Sequence, residues 1–130
     1  AREQAYAPYS HFQVGAALRL ADGRILSGGN LENAAYPLCL CAERVVLAAA
    51  HALHPGVPPH ALAITVHNSR KTIDRPAAPC GACRQVLAEA EARFSQPIRL
   101  LLQGDVGPIL VFESVQQLLP FGFESSFLDP

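Results

Sequence analysis

Three cysteines and one glutamate in this chain have a spacing that can do chemistry. Cys41-Ala42-Glu43 opens one apolar run, and Pro79-Cys80-Gly81-Ala82-Cys83 opens a second about forty residues later. Residues three apart share a helical face, so Cys80 and Cys83 can hold one ion together. Helix N-termini carry partial positive charge, which stabilises thiolates, and thiolate is the form that binds Zn²⁺. Three such ligands leave one tetrahedral position open, where water can sit and lose a proton more easily. Glu43, in the first turn beyond Cys41, is near such a metal without being needed as a ligand. A carboxylate there can take a proton from the water and pass it to a substrate nitrogen. Alone, Glu43 reads equally well as a helix-terminal acid favoured by the dipole; beside the metal motif the proton-carrying role is preferred.

Cys39 does not share this role. Side chains two apart diverge on a helix and point to opposite sides of an extended chain. A fourth sulfur would also close the site to water. Cys39 is therefore expected to be a small buried hydrophobe. Zn²⁺ with three thiolates is net negative and should acidify water less than a site of three neutral imidazoles. Arg44 is expected to donate to the thiolates and draw charge off them, with Arg84 the weaker candidate. His11, His51, His54, His60 and His67 show no ligand spacing with one another. None is assigned to the site, and His51 and His54 fit a helix C-terminus.

The elements that must position these residues can be read from the pattern. The chain opens in what reads as the end of a helix. Residues 12–30 read as a hairpin, with strands at Val14–Leu20 and Ile25–Ser27 around an Asp22-Gly23 turn signal. Residues 41–53 are Ala- and Leu-rich and predict a buried helix, broken by His-Pro-Gly-Val-Pro-Pro-His at 54–60. Residues 61–68 suit a buried strand, and 68–79 form a polar, Pro-containing loop. Residues 80–94 predict an amphipathic helix with Val86, Leu87, Ala90 and Phe94 on one face; Glu89, Glu91 and Arg93 read as its solvated side. Strands are expected at 98–103 and 109–112, and Glu113–Pro120 as a last short helix. A hairpin followed by β-α alternation implies an α/β protein with a mixed sheet covered by helices.

The totals bound the function class. The chain has 130 residues, half of them hydrophobic, and a net charge of −1. That is the size of one domain, 1–130, with enough apolar residues for a core. Lys71 is the sole lysine and no basic stripe is present, so no nucleic-acid partner is expected and a small, roughly neutral one is. No run is long enough for a membrane-spanning helix. The four cysteines fall in C-x-C and C-x-x-C rather than spread as staples. With no export signal, a metal or redox site in the cytoplasm is expected.

Taken together, these residues resemble a known family. Tyr-Ser-His-Phe-Gln-Val-Gly-Ala-Ala-Leu (9–18), the run from Asp22 through Gly-Gly-Asn-Leu-Glu-Asn-Ala to Arg44, Ala-Pro-Cys-Gly-Ala-Cys-Arg-Gln-Val-Leu (78–87) and the stretch from Leu118 to Leu128 stand in order over most of the chain. The Cys-x-Glu and Pro-Cys-x-x-Cys pair is the zinc-deaminase signature in its three-cysteine form. The chain resembles the small homotetrameric cytidine deaminases of pyrimidine salvage. The resemblance implies a three-layer α-β-α sandwich with a mixed five-stranded sheet, and hydrolysis of cytidine or deoxycytidine to the uracil nucleoside plus ammonia. It implies Zn²⁺ held by Cys41, Cys80 and Cys83, with Glu43 as proton shuttle. Asn30 and Glu32 would hydrogen-bond the sugar 3′-hydroxyl. Phe12 and Val14 would line the base pocket, and backbone around Ala42 would read the pyrimidine edge. Ala34 and Tyr36 would reach a neighbouring subunit's site, and Phe123 would stack on the base from another subunit.

Three departures stand out. The interval from Cys41 to Cys80 is longer than the family pattern, with the excess in 54–60 or 68–79. The helix before Tyr9 is short. Phe127 stands where the family often has an acid and competes with Phe123, which is preferred. The alternatives are a deaminase of another cytosine-bearing compound such as blasticidin S, and a non-catalytic binding module stabilised by zinc. Chelation separates the last, because a structural zinc site unfolds without metal.

Overall fold

In the computed structural model, which describes residues 1–128, the hairpin seeds a five-stranded mixed sheet. Strand β1 (Phe12–Leu20) runs antiparallel to β2 (Ile25–Gly29) and to β3 (Pro59–Asn68). Strand β4 (Arg99–Gln103) lies parallel to β3, and β5 (Leu110–Phe112) returns antiparallel beside it. The order across the sheet is β2-β1-β3-β4-β5. Strand β1 begins two residues before the predicted start because Phe12 pairs with Asn68 at the far end of β3. A long neighbour extends a strand beyond what its own alternation shows.

Helix α1 (Ala42–Leu53) and helix α2 (Gly81–Phe94) connect the strands. Each starts on the residue after a cysteine. Cys41 and Cys80 are the N-cap residues, both with extended backbone, and neither thiol caps its own helix. The sulfurs are thus free to turn elsewhere. Pro55 and Gly56 stop α1; α2 ends at Ser95, which takes a left-handed conformation at φ 49° while Gln96 N–H returns to the Glu91 carbonyl.

One face of the sheet carries the core. Ala16, Leu18 and Leu20 of β1, Leu62 and Ile64 of β3, and Leu100 and Leu102 of β4 alternate inward. They meet Val46 and Ala50 of α1, Leu87 of α2, Ile98 and Val115. Each fully buried leucine is worth about 2 kcal/mol of transfer free energy. The other face is covered by one 3-10 turn, Arg2–Gln4, in place of the helix end expected there. It lies so close that a Cβ at Gly15 would stand 2.2 Å from the Arg2 nitrogen, and one at Gly29 2.4 Å from the Ala5 nitrogen. The α/β class and the mixed five-stranded sheet are as expected. The layers are unequal: within residues 1–128, two helices lie on one face and a single turn on the other. The last predicted helix is a 3-10 turn, Val115–Leu118.

The buried line of α2 differs from the expected face. It runs Cys83, Leu87, Glu91, at intervals of four, while Val86 is exposed. Glu91, read from sequence as solvated, is 5% exposed. Its carboxylate accepts the Ile98 N–H at 2.7 Å, the Ser114 hydroxyl at 2.9 Å and the Val115 N–H at 3.1 Å. It ties α2 to the approach to β4 and to the 3-10 turn.

Candidate metal centre and pocket

Because α1 and α2 both begin at the same end of the sheet, their first residues converge. The sulfurs of Cys41, Cys80 and Cys83 all lie within 4.8 Å of one another, and Cys41 and Cys80 are 3.9 Å apart. Two sulfurs on one tetrahedral Zn²⁺ at ~2.3 Å stand roughly 3.8 Å apart, so the donor set fits that ion with little movement. No other group of three histidine, cysteine, aspartate or glutamate side chains comes together in this way among the described residues. The thiols polarise one another. A hydrogen bond from Cys83 brings the Cys41 pKa down to about 6, and the same bond, with burial, pushes Cys83 far up.

Glu43 is 5% exposed. Burial raises its pKa above the ordinary carboxyl value, against a smaller opposing effect of its own backbone N–H. Cys41 and Glu43 both line a pocket of about 290 Å³, together with Phe12, Val14, Asn30 and Glu32. That volume is at the lower end of those of small-molecule sites. Ile64 and Val66 of β3 and Ala77 and Ala78 of the loop before α2 complete its walls. A larger hollow of about 360 Å³ lies between α1 and α2. None of the three thiols nor Glu43 lines it, so the smaller pocket is the chemical one.

Asn30 and Glu32 are held in place by the chain itself. The Asn30 amide accepts the Val14 N–H at 2.9 Å and donates to the Phe12 carbonyl at 3.0 Å. Glu32 accepts the Tyr9 N–H at 2.9 Å, the Ser10 N–H at 3.1 Å and the Ser10 hydroxyl. Burial pushes its carboxyl pKa up, but these hydrogen bonds outweigh that and hold it below the usual range. A carboxylate has about four acceptor sites, so one remains for a ligand.

Other expected residues stand apart from the pocket. Ala42 is fully buried at the start of α1. Ala34 is exposed, and Tyr36, 68% exposed, lines an adjoining hollow with Tyr9, Ser10, Glu32 and Cys39. Phe123 is 58% exposed and stacks on Phe127 at 5.7 Å between ring centroids, so the two expected rivals share one aromatic patch.

Two expectations are corrected. Cys39 is outside the metal cluster, as expected, but it is not a buried hydrophobe: it is half-buried, and its sulfur accepts the Asn33 N–H at 3.2 Å. Arg44 makes no hydrogen bond to a sulfur among the described residues. It lies half-buried in the hollow between the helices, and its charge is the weakest of the named influences on Cys41.

Two side chains take positioning roles that the sequence does not indicate: Arg84, expected only as a weaker donor to the thiolates, and Gln85, to which no role is assigned. Arg84 donates from Nε to the Pro79 carbonyl and from a terminal nitrogen to the Leu118 carbonyl, both at 2.8 Å. Gln85 grips the Phe123 backbone twice, donating to its carbonyl at 2.9 Å and accepting its N–H at 3.2 Å. Their adjacency to Cys83 was the available signal, but both have partners more than thirty residues away.

Residues 1–95 match the model of the cytidine and deoxycytidylate deaminase zinc-binding region. The chain is 46% identical over 123 residues to a cytidine deaminase of Halalkalibacterium halodurans, covering 95% of this chain and 86% of that one. It is 41% identical over 107 residues to a cytidine deaminase of Mycobacterium tuberculosis, covering 80% and 76%. The crystal structure of a cytidine deaminase from Burkholderia pseudomallei superposes with a TM-score of 0.80 at 43% identity, over 94% of this chain and 90% of that one.

Proposed function

The chain belongs to the cytidine and deoxycytidylate deaminase family, and from that membership we propose that it hydrolyses cytidine or deoxycytidine to the uracil nucleoside and ammonia. The observation that carries the reading is the convergence of three cysteine sulfurs beside a buried glutamate at one pocket. Cys41, Cys80 and Cys83 are the residues that would hold zinc. When bound, zinc supplies a water of lowered pKa at the one position the sulfurs leave free. Glu43 takes a proton from the attacking water and delivers it to ring N3 as the water oxygen bonds C4. It then takes the second proton from the hydroxyl now on C4 and passes it to the exocyclic nitrogen as the C4–N bond breaks, leaving the C4 carbonyl and ammonia. Burial suits Glu43 to this, since a raised pKa lets it hold a proton between the two transfers.

Phe12 and Val14 form apolar walls for the base, and the backbone at Ala42 reads its edge. Asn30 and Glu32, already fixed by β1 and by Tyr9 and Ser10, bind the sugar 3′-hydroxyl. Arg44 acts on the thiolates by charge at a distance. Residues 1–130 act as one catalytic domain, which the single hydrophobic cluster, with buried residues from both helices and three strands, supports. Ala34, Tyr36 and Phe123 are exposed outside their own chain's pocket. That supports a homotetramer in which they complete a neighbour's site. No helix is long and apolar enough to cross a membrane. Four free cysteines suit a reducing compartment, and we place the enzyme in cytoplasmic pyrimidine salvage.

The test is the loss of cytosine-type ultraviolet absorbance when the protein meets cytidine and deoxycytidine, with zinc assayed on the same sample. Turnover with about one zinc per chain, abolished in a zinc-loaded Glu43→Gln variant, is the expected result. Zinc without turnover on either nucleoside would overturn the substrate assignment.

A further inference from the structure

The segment from 69 to 80 puts Ala77 and Ala78 into the pocket wall and ends on Cys80. It contains no helix or strand of its own, and it overlaps 68–79, one of the two stretches in which the excess length between the cysteines is expected. Its middle is fixed by a residue from the far end of the chain. Asp105, in the turn between β4 and β5, accepts the Ile73 N–H on Oδ2 at 2.9 Å. Its own N–H donates to the Ile73 carbonyl at 2.8 Å, and the Val106 N–H reaches the same oxygen at 3.3 Å. Asp105 Oδ1 accepts from His67 Nδ1 at 2.7 Å and from the Arg2 guanidinium at 3.3 Å. The same guanidinium nitrogen donates to the carbonyl of Val66, a pocket-wall residue, at 3.1 Å. One carboxylate thus joins the cysteine loop, the end of β3 and the N-terminal turn.

The backbone on either side of Asp105 is shaped to the loop. A Cβ at Gly104 would stand 2.6 Å from the Ile73 oxygen and 2.7 Å from the Arg75 oxygen; one at Gly107 would stand 2.6 Å from the Asp74 oxygen. Nothing larger than glycine fits against these carbonyls without displacing the loop. A carboxylate suits the central position, since it is an acceptor with room for the three donors that meet there.

We propose that Asp105 is a positioning residue for the site: by clamping Ile73 against the β4–β5 turn it sets the Ala77–Ala78 wall and the approach of Cys80 to Cys41 and Cys83. The consequence for substrate binding rests on the deaminase reading; the consequence for the metal does not.

The test compares zinc-loaded wild type with Asp105→Ala, Asp105→Asn and Gly104→Ala, reading zinc loss to excess chelator and kcat and KM for cytidine. Asp105→Ala is expected to lose zinc on the order of tenfold faster and to raise KM on the order of tenfold, with kcat changed less. Asp105→Asn, which keeps an acceptor for the Ile73 N–H, should fall between. Gly104→Ala should move both readouts in the same direction with the carboxylate intact, and it keeps the test alive should Asp105→Ala not fold. Glu91→Gln, far from the loop, serves as the destabilised control and should leave zinc loss unchanged. Wild-type zinc loss and KM in Asp105→Ala and Gly104→Ala, or equal acceleration in Glu91→Gln, would overturn the proposal. If the zinc-loaded wild type does not turn over cytidine, the deaminase reading fails and zinc loss alone still decides the clamp.

Discussion

The Arg84 guanidinium donates to the Pro79 carbonyl at 2.8 Å, so the residue that follows Cys83 holds the residue that precedes Cys80. The same guanidinium reaches the Leu118 carbonyl, which anchors this link to the C-terminal turn. The arrangement calls for the two-armed geometry of arginine, not only its charge. Both Arg84→Lys and Arg84→Gln are therefore expected to speed zinc loss to a chelator on the order of tenfold. The comparison of the two is what decides. Wild-type zinc retention in the lysine variant alone would make the charge the cause and the hydrogen bonds incidental.

Glu91 is the buried acid that the chain can least spare for stability. Removing its carboxylate leaves the Ile98 and Val115 N–H groups, both on buried residues, without acceptors. Each such group costs about 1–3 kcal/mol, so Glu91→Ala should lower unfolding stability by roughly 3 kcal/mol. Glu91→Gln, which keeps one acceptor oxygen, should cost less. Denaturant midpoints at fixed zinc content give the comparison. An alanine variant within about 0.5 kcal/mol of wild type, the range of a surface substitution, would mean that water replaces the lost acceptor.

What could be read from the sequence was what local chemistry governs. Cys41, Cys80, Cys83 and Glu43 announce themselves because ligand spacing and helix starts coincide. Asp22-Gly23 marks its hairpin because the turn needs those residue types. Asn30 and Glu32 are identified only through the family resemblance. Asp105 gives no signal at all: its partners Arg2, His67 and Ile73 are 103, 38 and 32 residues away. Glu91 was misread for a different reason. Its charge type outweighed its position, although intervals of four from Cys83 and Leu87 put it on the buried line. Arg44 keeps a charge influence on Cys41 but makes no hydrogen bond to a sulfur among the described residues, a distinction that proximity in sequence does not draw.

Asp105 also predicts an acid dependence. The Ile73 N–H, and then His67, hold its carboxyl below the ordinary value, with Arg2 contributing charge. A folded pKa lower than the unfolded one, about 3.9, gives stability that is complete above that value and is lost as pH falls through the folded pKa. The facing groups are a histidine and an arginine, neither of which can carry negative charge, so they do not reverse the sign. The stability gap between wild type and Asp105→Asn should be full near pH ~6 and should close below about pH 4. Denaturant midpoints of both proteins across that range measure it, and using their difference cancels acid effects common to both. A gap that stays constant down to pH ~3 would uncouple the ionisation of Asp105 from folding.

Glu32 offers the sharpest test of the sugar contact, because most of its bonds are internal. Three donors from Tyr9 and Ser10 already occupy the carboxylate, so a glutamine there can keep the loop if its amide nitrogen turns toward the Ser10 hydroxyl, which can accept. What it loses is the remaining charged acceptor site facing the pocket. Glu32→Gln should then raise KM for cytidine on the order of tenfold, the loss of one hydrogen bond to a charged group, with kcat reduced less. For 3′-deoxycytidine, which lacks the 3′-hydroxyl, wild type and variant should give the same KM. If KM rises equally for both nucleosides, the glutamine has disturbed the Tyr9–Ser10 loop and the carboxylate does not read the sugar.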